Sequence, residues 1–377
     1  MAYRPFGAGR GMRILRAIER TLLEIVTGRE LASLAILSVL FYAFYYPAPY
    51  AHQVATGLTV VVVDEDHSEF SRRLVRDLGA TQQVRVIGDA TDMAQARALV
   101  RDRKAEGVLL LSQGLSDRIV GGRGGEGIGL VVEASYFVRA EGVITATVAA
   151  ISAEVARVAD RLGIAAAQPP APIQVQPLFN TIAGYRDYVF PAIAVVILQQ
   201  TLLFTAARLV AERRRRGVLP AGIADGLGSW IACILVGLFG QAFFFGFAYW
   251  LQDVPRGGNM AGLLLAMPLF SAAVAALGLL LGSFFRNGDD ALKLLMPTSV
   301  PLVFLTGFAW PLNQMPGWLE ALAWLSPATP GVHSLVRFNQ MGASLDEAAG
   351  PLAILVALTG VFLCAWLLRC RRQRQAA

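Results

Sequence analysis

The chain has 377 residues, 55% of them hydrophobic and 16% charged, with a formal net charge of +6. A mean hydropathy of +0.53 excludes an ordinary soluble protein of this length. The three cysteines, Cys233, Cys364 and Cys370, fall in or beside apolar runs, which excludes a disulfide framework and any zinc-ligand spacing.

The first element is MRILRAIERTLLEIVT at 12–27. It places Ile14, Leu15, Ile18, Leu22, Ile25 and Val26 on one helical face and arginines on the other, the pattern of a helix lying in a membrane interface. Residues 1–30 are read as a cytoplasmic N-terminus carrying this helix. Residues 31–47 hold a first membrane helix, apolar over 31–46 and closed by an aromatic belt of Phe41, Tyr42, Phe44, Tyr45 and Tyr46. A run of about 20 apolar residues is needed to span a bilayer. The arginine-rich segment before it is too long for a signal peptide, and no small-residue cleavage site follows Tyr46.

Residues 48–187 read as a separate α/β domain. Strands are expected at 58–63 (LTVVVV), 84–87, 107–111 and 129–133, and helices at 68–78, 92–104 and about 140–162. Alternating strands and helices predict parallel pairing. GGRGGEG at 121–127 is read as a turn into the fourth strand, and QPPAPIQVQP at 168–177 as a linker back to the membrane. Asp64, Glu65 and Asp66 follow the first strand, where ligands gather in open sheets. Helix capping and loop hydration are the commoner use of such residues, and no metal site is assigned to them.

Residues 188–369 hold five further apolar runs, at 188–207, 228–250, 260–285, 292–312 and 351–368. Gln199 and Gln200 in the second span and Gln241 in the third are amides at membrane depth. They require partners or a cavity, and are candidate substrate-pathway residues. Between 313 and 345, Pro316, Pro327 and Pro330 break the chain into short helices, with Trp318 and Trp324 suited to an interface. This is read as a re-entrant segment in the outer leaflet. A basic tail occupies 370–377. The class is therefore an α-helical integral membrane protein with six transmembrane helices and a small extracytoplasmic α/β domain between the first two.

Charge sets the orientation. Seventeen basic residues flank the spans on the side of the two termini, against Arg256 and Arg337 on the other. The positive-inside rule then puts both termini in the cytoplasm and 48–187 outside. This clustering beside spans also accounts for the net charge without nucleic acid. No GxxxxGK[ST] phosphate loop, HExxH or Ser/His/Asp constellation occurs, so no catalytic residue is assigned. An ion-driven secondary transporter would be expected to show internal repeats and mid-span carboxylates, and neither is visible. A membrane-anchored ligand sensor would not need five clustered spans.

The one-plus-five layout suits an export permease, and particular blocks carry a resemblance. They are VVDEDHSEFSRRL (62–74), VFPAIAVVILQQTLL (189–203), AERRRRGVLP (211–220) and TGFAWPLNQMPGWLEALAWLSPATPG (306–331). With these the chain resembles the permease subunit of ABC-2 type exporters, in the branch with a large extracytoplasmic domain. It departs from the usual pattern at Gly217-Val218-Leu219, where the family commonly shows Gly-Thr and an acidic residue. Another departure is Asp289-Asp290, where uncharged polar residues are usual. The resemblance implies a homodimer or heterodimer of permease subunits in a bacterial inner membrane. It implies no cofactor in this chain, ATP being bound by a separate cytoplasmic ATP-binding subunit. That subunit would dock on the interfacial helix and on Glu212, Arg213, Arg214, Arg215 and Arg216, the candidate coupling residues. A periplasmic adaptor is a frequent partner in this branch, often in drug efflux, and membrane lipids surround the spans.

Overall fold

In the computed structural model of the chain, residues 8–51, 55–120, 127–133, 137–161, 184–218, 220 and 222–375 are described. Residues 1–7, most of the glycine turn at 121–127 and the linker at 168–177 lie outside them. The chain divides into two units, Tyr50–Tyr185 and a second formed by Met1–Pro49 with Arg186–Ala377.

The second unit opens with α1 (Ala8–Thr27), followed by α2 (Arg29–Ala32), a π-helical turn (Ser33–Leu37) and α3 (Ser38–Tyr45). The stripe of α1 that packs on protein is Ala17, Thr21 and Ile25, while Met12, Leu15, Leu23 and Val26 stay exposed. The amphipathic face read from the sequence is therefore divided between protein and surroundings.

In the Tyr50–Tyr185 unit, β1 (Leu58–Asp64), β2 (Val84–Asp89), β3 (Gly107–Leu111) and β4 (Ile128–Val132) form one sheet in the order β2-β1-β3-β4. The central β1 is an uninterrupted apolar run because both its faces are covered. Val60 and Val62 pack with Phe70, Leu74 and Leu78 of α4 (Glu69–Gly79) and Val143 and Ala146 of α7 (Phe137–Arg161). Val61 and Val63 pack with Ala96 of α5 (Met93–Arg101). Ser68 and Asp92 cap α4 and α5 through their side chains. β1 pairs parallel with β2 and β3, but β4 runs antiparallel to β3, against the all-parallel expectation. A parallel return needs a long crossover. Among the described residues, the only helix between β3 and β4 is the short α6 (Leu115–Val120), which the sequence reading missed.

Returning to the second unit, α8 (Tyr185–Arg215) is its core, buried along almost its whole length. Around it lie α9 (Ile223–Gln241), continued through a π-helical stretch into α10 (Tyr249–Leu251), α11 (Met260–Gly282), and α16 (Leu345–Gln375). The run read as a single fifth span is divided into α12 (Gly288–Leu295), a 3-10 turn at Pro297, and α13 (Ser299–Leu305). It stops short of residue 312 because Gly307 adopts φ +85°, a region that ordinary side chains avoid. The short helices after it are α14 (Gly317–Trp324) and α15 (Ala328–Val336).

Among the described residues, six helices are long and apolar enough to cross a membrane: Arg29–Tyr50, Val138–Arg161, Tyr185–Arg215, Ile223–Leu251, Met260–Gly282 and Leu345–Gln373. The number agrees with the sequence reading, but the membership differs. The broken fifth span drops out, and Val138–Arg161 qualifies on length and composition. That helix is α7, whose apolar stripe of Val143, Ala146 and Ala150 is already covered by the sheet.

Candidate functional site

The basic end of α8 is not a loop. Glu212 and Arg213 to Arg215 form the last turn of the helix itself, and only Arg216 lies in the turn beyond. Arginine is a good helix former, and cations complement the negative end of a helix dipole. The chain therefore stays helical into the segment read as a connection.

This turn gathers four other elements. Arg213 donates at 2.8 Å to Glu24 Oε2 and Thr21 Oγ1 on α1 and to Ser229 Oγ on α9. Its planar fork suits three fixed acceptors, and each bond to a charged group is worth about 1.5–3 kcal/mol. Arg214 donates to the Ser283 carbonyl at the end of α11 (2.7 Å), which also accepts from Arg369 and Gln373 of α16. Glu212 accepts from the Gly288 N–H at the start of α12 (3.3 Å) and pairs with Arg215 (2.8 Å). Arg216 lies 3.7 Å from Glu24. One turn further in, Arg208 bridges Glu30 and Asp289, the latter at 2.9 Å. Asp289, a departure from the usual family pattern, thus has a specific partner here.

The three amides do not converge. Gln199 donates to Ser326 Oγ beside α15 (3.2 Å), Gln200 to Ser299 Oγ at the start of α13 (2.8 Å), and Gln241 to Ser271 Oγ and the Met267 carbonyl of α11 (2.6 and 3.0 Å). All three are buried within this one chain. Gln200 and Gln241 keep amide oxygens with no partner among the described residues. Gln199 and Gln200 therefore tie α8 to the two proline-broken segments, which are the least regular parts of the bundle. Leucine at each should separate their roles. Removing one interhelical bond costs about 1 kcal/mol, so both variants are expected to assemble. Gln200→Leu, which frees α13, should show the larger increase in limited proteolysis of that segment in detergent. Equal loss of assembly in both would reduce them to structural bonds.

Sequence reasoning missed a Gly-x-x-x-Gly pair, Gly278 and Gly282, a signal that small residues bring helices together. A Cβ on Gly278 would lie 2.9 Å from the Leu203 carbonyl oxygen of α8, and one on Gly282 2.3 Å from that of Ala207. In the other unit, Asp64 accepts from the Asp66 and His67 N–H groups and the Ser71 hydroxyl. Burial pushes the Asp66 carboxyl up, but hydrogen bonds from Ser68 and Ser116 outweigh it and leave it below its ordinary value. These carboxylates are engaged in shaping the loop and the α4 terminus. No metal-holding group of three His, Cys, Asp or Glu occurs among the described residues.

Membrane-length helices around a buried central helix, with charged ends bonded across the bundle, define a multi-pass membrane protein. The chain belongs to the ABC-2 family transporter proteins, whose family model matches residues 30–368. It is 23% identical over 192 residues to a probable multidrug ABC transporter permease, YbhR, of Escherichia coli (strain K12), covering 48% of this chain and 52% of that one. To a second probable multidrug ABC transporter permease of that strain, YbhS, it is 22% identical over 217 residues, 52% of each chain. To the linearmycin resistance permease protein LnrN of Bacillus subtilis (strain 168) it is 21% identical over 179 residues, 46% of each. The chain spans about half the length of the curated relatives it matches. The family is one of transporter permeases, which are not themselves enzymes.

Proposed function

We propose that the chain is the membrane-spanning permease subunit of an ABC exporter in the bacterial inner membrane. It is paired with a second permease subunit and driven by a separate cytoplasmic ATP-binding subunit. The observation that supports this most directly, beside the family, is the last turn of α8. Arg213, Arg214 and Glu212 bond that turn to α1, α9, α11 and α12, so a push on it would reach the whole bundle. Both termini are cytoplasmic in this reading, because the charge asymmetry favours that side, and residues 48–187 lie outside. The exposed Met12, Leu15, Leu23 and Val26 of α1 suit a lipid interface. Drug-like compounds are the proposed cargo, in line with the multidrug permeases it is similar to, and a periplasmic adaptor is a proposed partner. Gln199, Gln200 and Gln241 border the pathway through the segments they hold.

One preparation of reconstituted vesicles tests both levels. Cysteines introduced at Ser112 and Gln375 should label from opposite sides of the membrane, and labelling from one side would defeat the topology. With the cognate ATP-binding subunit added, Glu212→Arg should abolish stimulation of its ATPase and transport while leaving the labelling pattern intact. Wild-type stimulation by that variant would remove the coupling role.

A further inference from the structure

The basic end of α16 contains a feature that the coupling cluster does not use. A cavity of about 350 Å³ lies between the start of α9 and the end of α16, lined by Gly222, Ile223, Leu367, Cys370, Arg371 and Gln375 among others. It exists because Gly226 lets the helices approach. A Cβ there would lie 2.8 Å from Leu367 and 3.7 Å from the buried Trp366 ring.

The wall holds both polar and apolar groups. Ile223 is exposed and Leu367 half-buried, and they form the apolar part of the lining. Arg371 is exposed and has no hydrogen-bond or ion-pair partner among the described residues, whereas Arg369 is held by Ser283 and the Phe284 ring. Gly222, the N-cap of α9, has no side chain with which to accept from the first N–H groups of that helix. Such groups carry partial positive charge. Asp225 in this turn already has a partner. A cation and a helix N-terminus beside apolar side chains complement an amphiphile with an anionic head.

We propose that this cavity seats the phosphodiester headgroup of an anionic phospholipid, with Arg371 as its cation and an acyl chain along Ile223 and Leu367. Basic pockets between membrane helices are suited to such headgroups. The inference rests on the chain being membrane-embedded, and not on its coupling to an ATPase.

The test is retention of phosphatidylglycerol by the purified full chain, titrated in detergent and read by native mass spectrometry against phosphatidylcholine. Arg371→Gln should weaken phosphatidylglycerol binding about fivefold or more, and Arg372→Gln, outside the cavity lining, by less than about twofold. Ile223→Trp, which fills the apolar side, should also displace the lipid. Equal losses for Arg371→Gln and Arg372→Gln would mean diffuse surface attraction and overturn the site. Displacement by inorganic phosphate as readily as by lipid would make it a free-anion site and overturn the lipid. Should Arg371→Gln lose its monodisperse state, Ile223→Trp decides: wild-type affinity in that variant overturns the proposal. Since no nucleotide, partner subunit or transport enters the assay, failure here is distinct from failure of the coupling reading.

Discussion

Arg213→Met is expected to destabilise the permease by about 3–5 kcal/mol, the cost of removing one partner from a buried charged network. The side chain is 7% exposed and Glu24, its ion-pair partner, 23%. Methionine keeps much of the volume and the helix propensity, so the loss isolates the charge. Among the described residues Glu24 would keep only Arg216 at 3.7 Å, and the Thr21 and Ser229 hydroxyls would lose their shared donor. Lysine should restore part of the stability, since it brings the charge without the fork. Arg216→Met is the control, because that side chain is 59% exposed and such a pair is worth about 0–1 kcal/mol. Thermal unfolding in detergent, followed by size-exclusion chromatography, reads the difference. Equal shifts for Arg213→Met and Arg216→Met would show that the arginines act as surface charges only.

The second large effect is expected at Gly282. Its missing Cβ would lie 2.3 Å from the Ala207 carbonyl oxygen and 2.6 Å from the Ala207 Cα. These are backbone atoms of the central helix, so no side chain can swing aside. Gly282→Val should therefore separate α11 from α8. Overpacking costs about 1–3 kcal/mol where the surroundings can relax, and this contact has less room than most. Folded yield should fall sharply, with Arg214's acceptor at Ser283 displaced in the same change. Gly360→Val on α16, where a Cβ would meet nothing within 4 Å, should leave yield unchanged. A folded Gly282→Val protein of wild-type thermal stability would sink the close-packing account.

Much of the architecture was legible in local sequence. The central strand LTVVVV is apolar without interruption because it is covered on both faces, and Ser68 and Asp92 stand where side-chain caps are needed. Apolar length alone is not enough to define a span. Pro297 puts a 3-10 turn into the run from 292 to 312 and Gly307 ends its helix, so its length alone overstates the continuous helix. The helix Phe137–Arg161 is apolar enough for a span, yet its apolar stripe belongs to a sheet.

The candidate site divides along the same line. Composition marked the arginines after Glu212 and the amides at 199, 200 and 241 as polar groups in or beside apolar surroundings, because each has a strong hydration preference that position contradicts. Their partners could not be read. Thr21, Ser229, Ser283 and Gly288 lie 192, 16, 69 and 76 residues or so from the groups that bond them, and no periodicity reaches across such separations. The sequence by itself determined which segments are apolar, which are capped and where positive charge accumulates, since these follow from nearest neighbours along a helix or strand. Only the tertiary structure decided which buried donor meets which acceptor, and which glycines stand against a backbone. Those depend on how helices distant in sequence pack together, where a single methyl group or an unpaired charge changes the outcome.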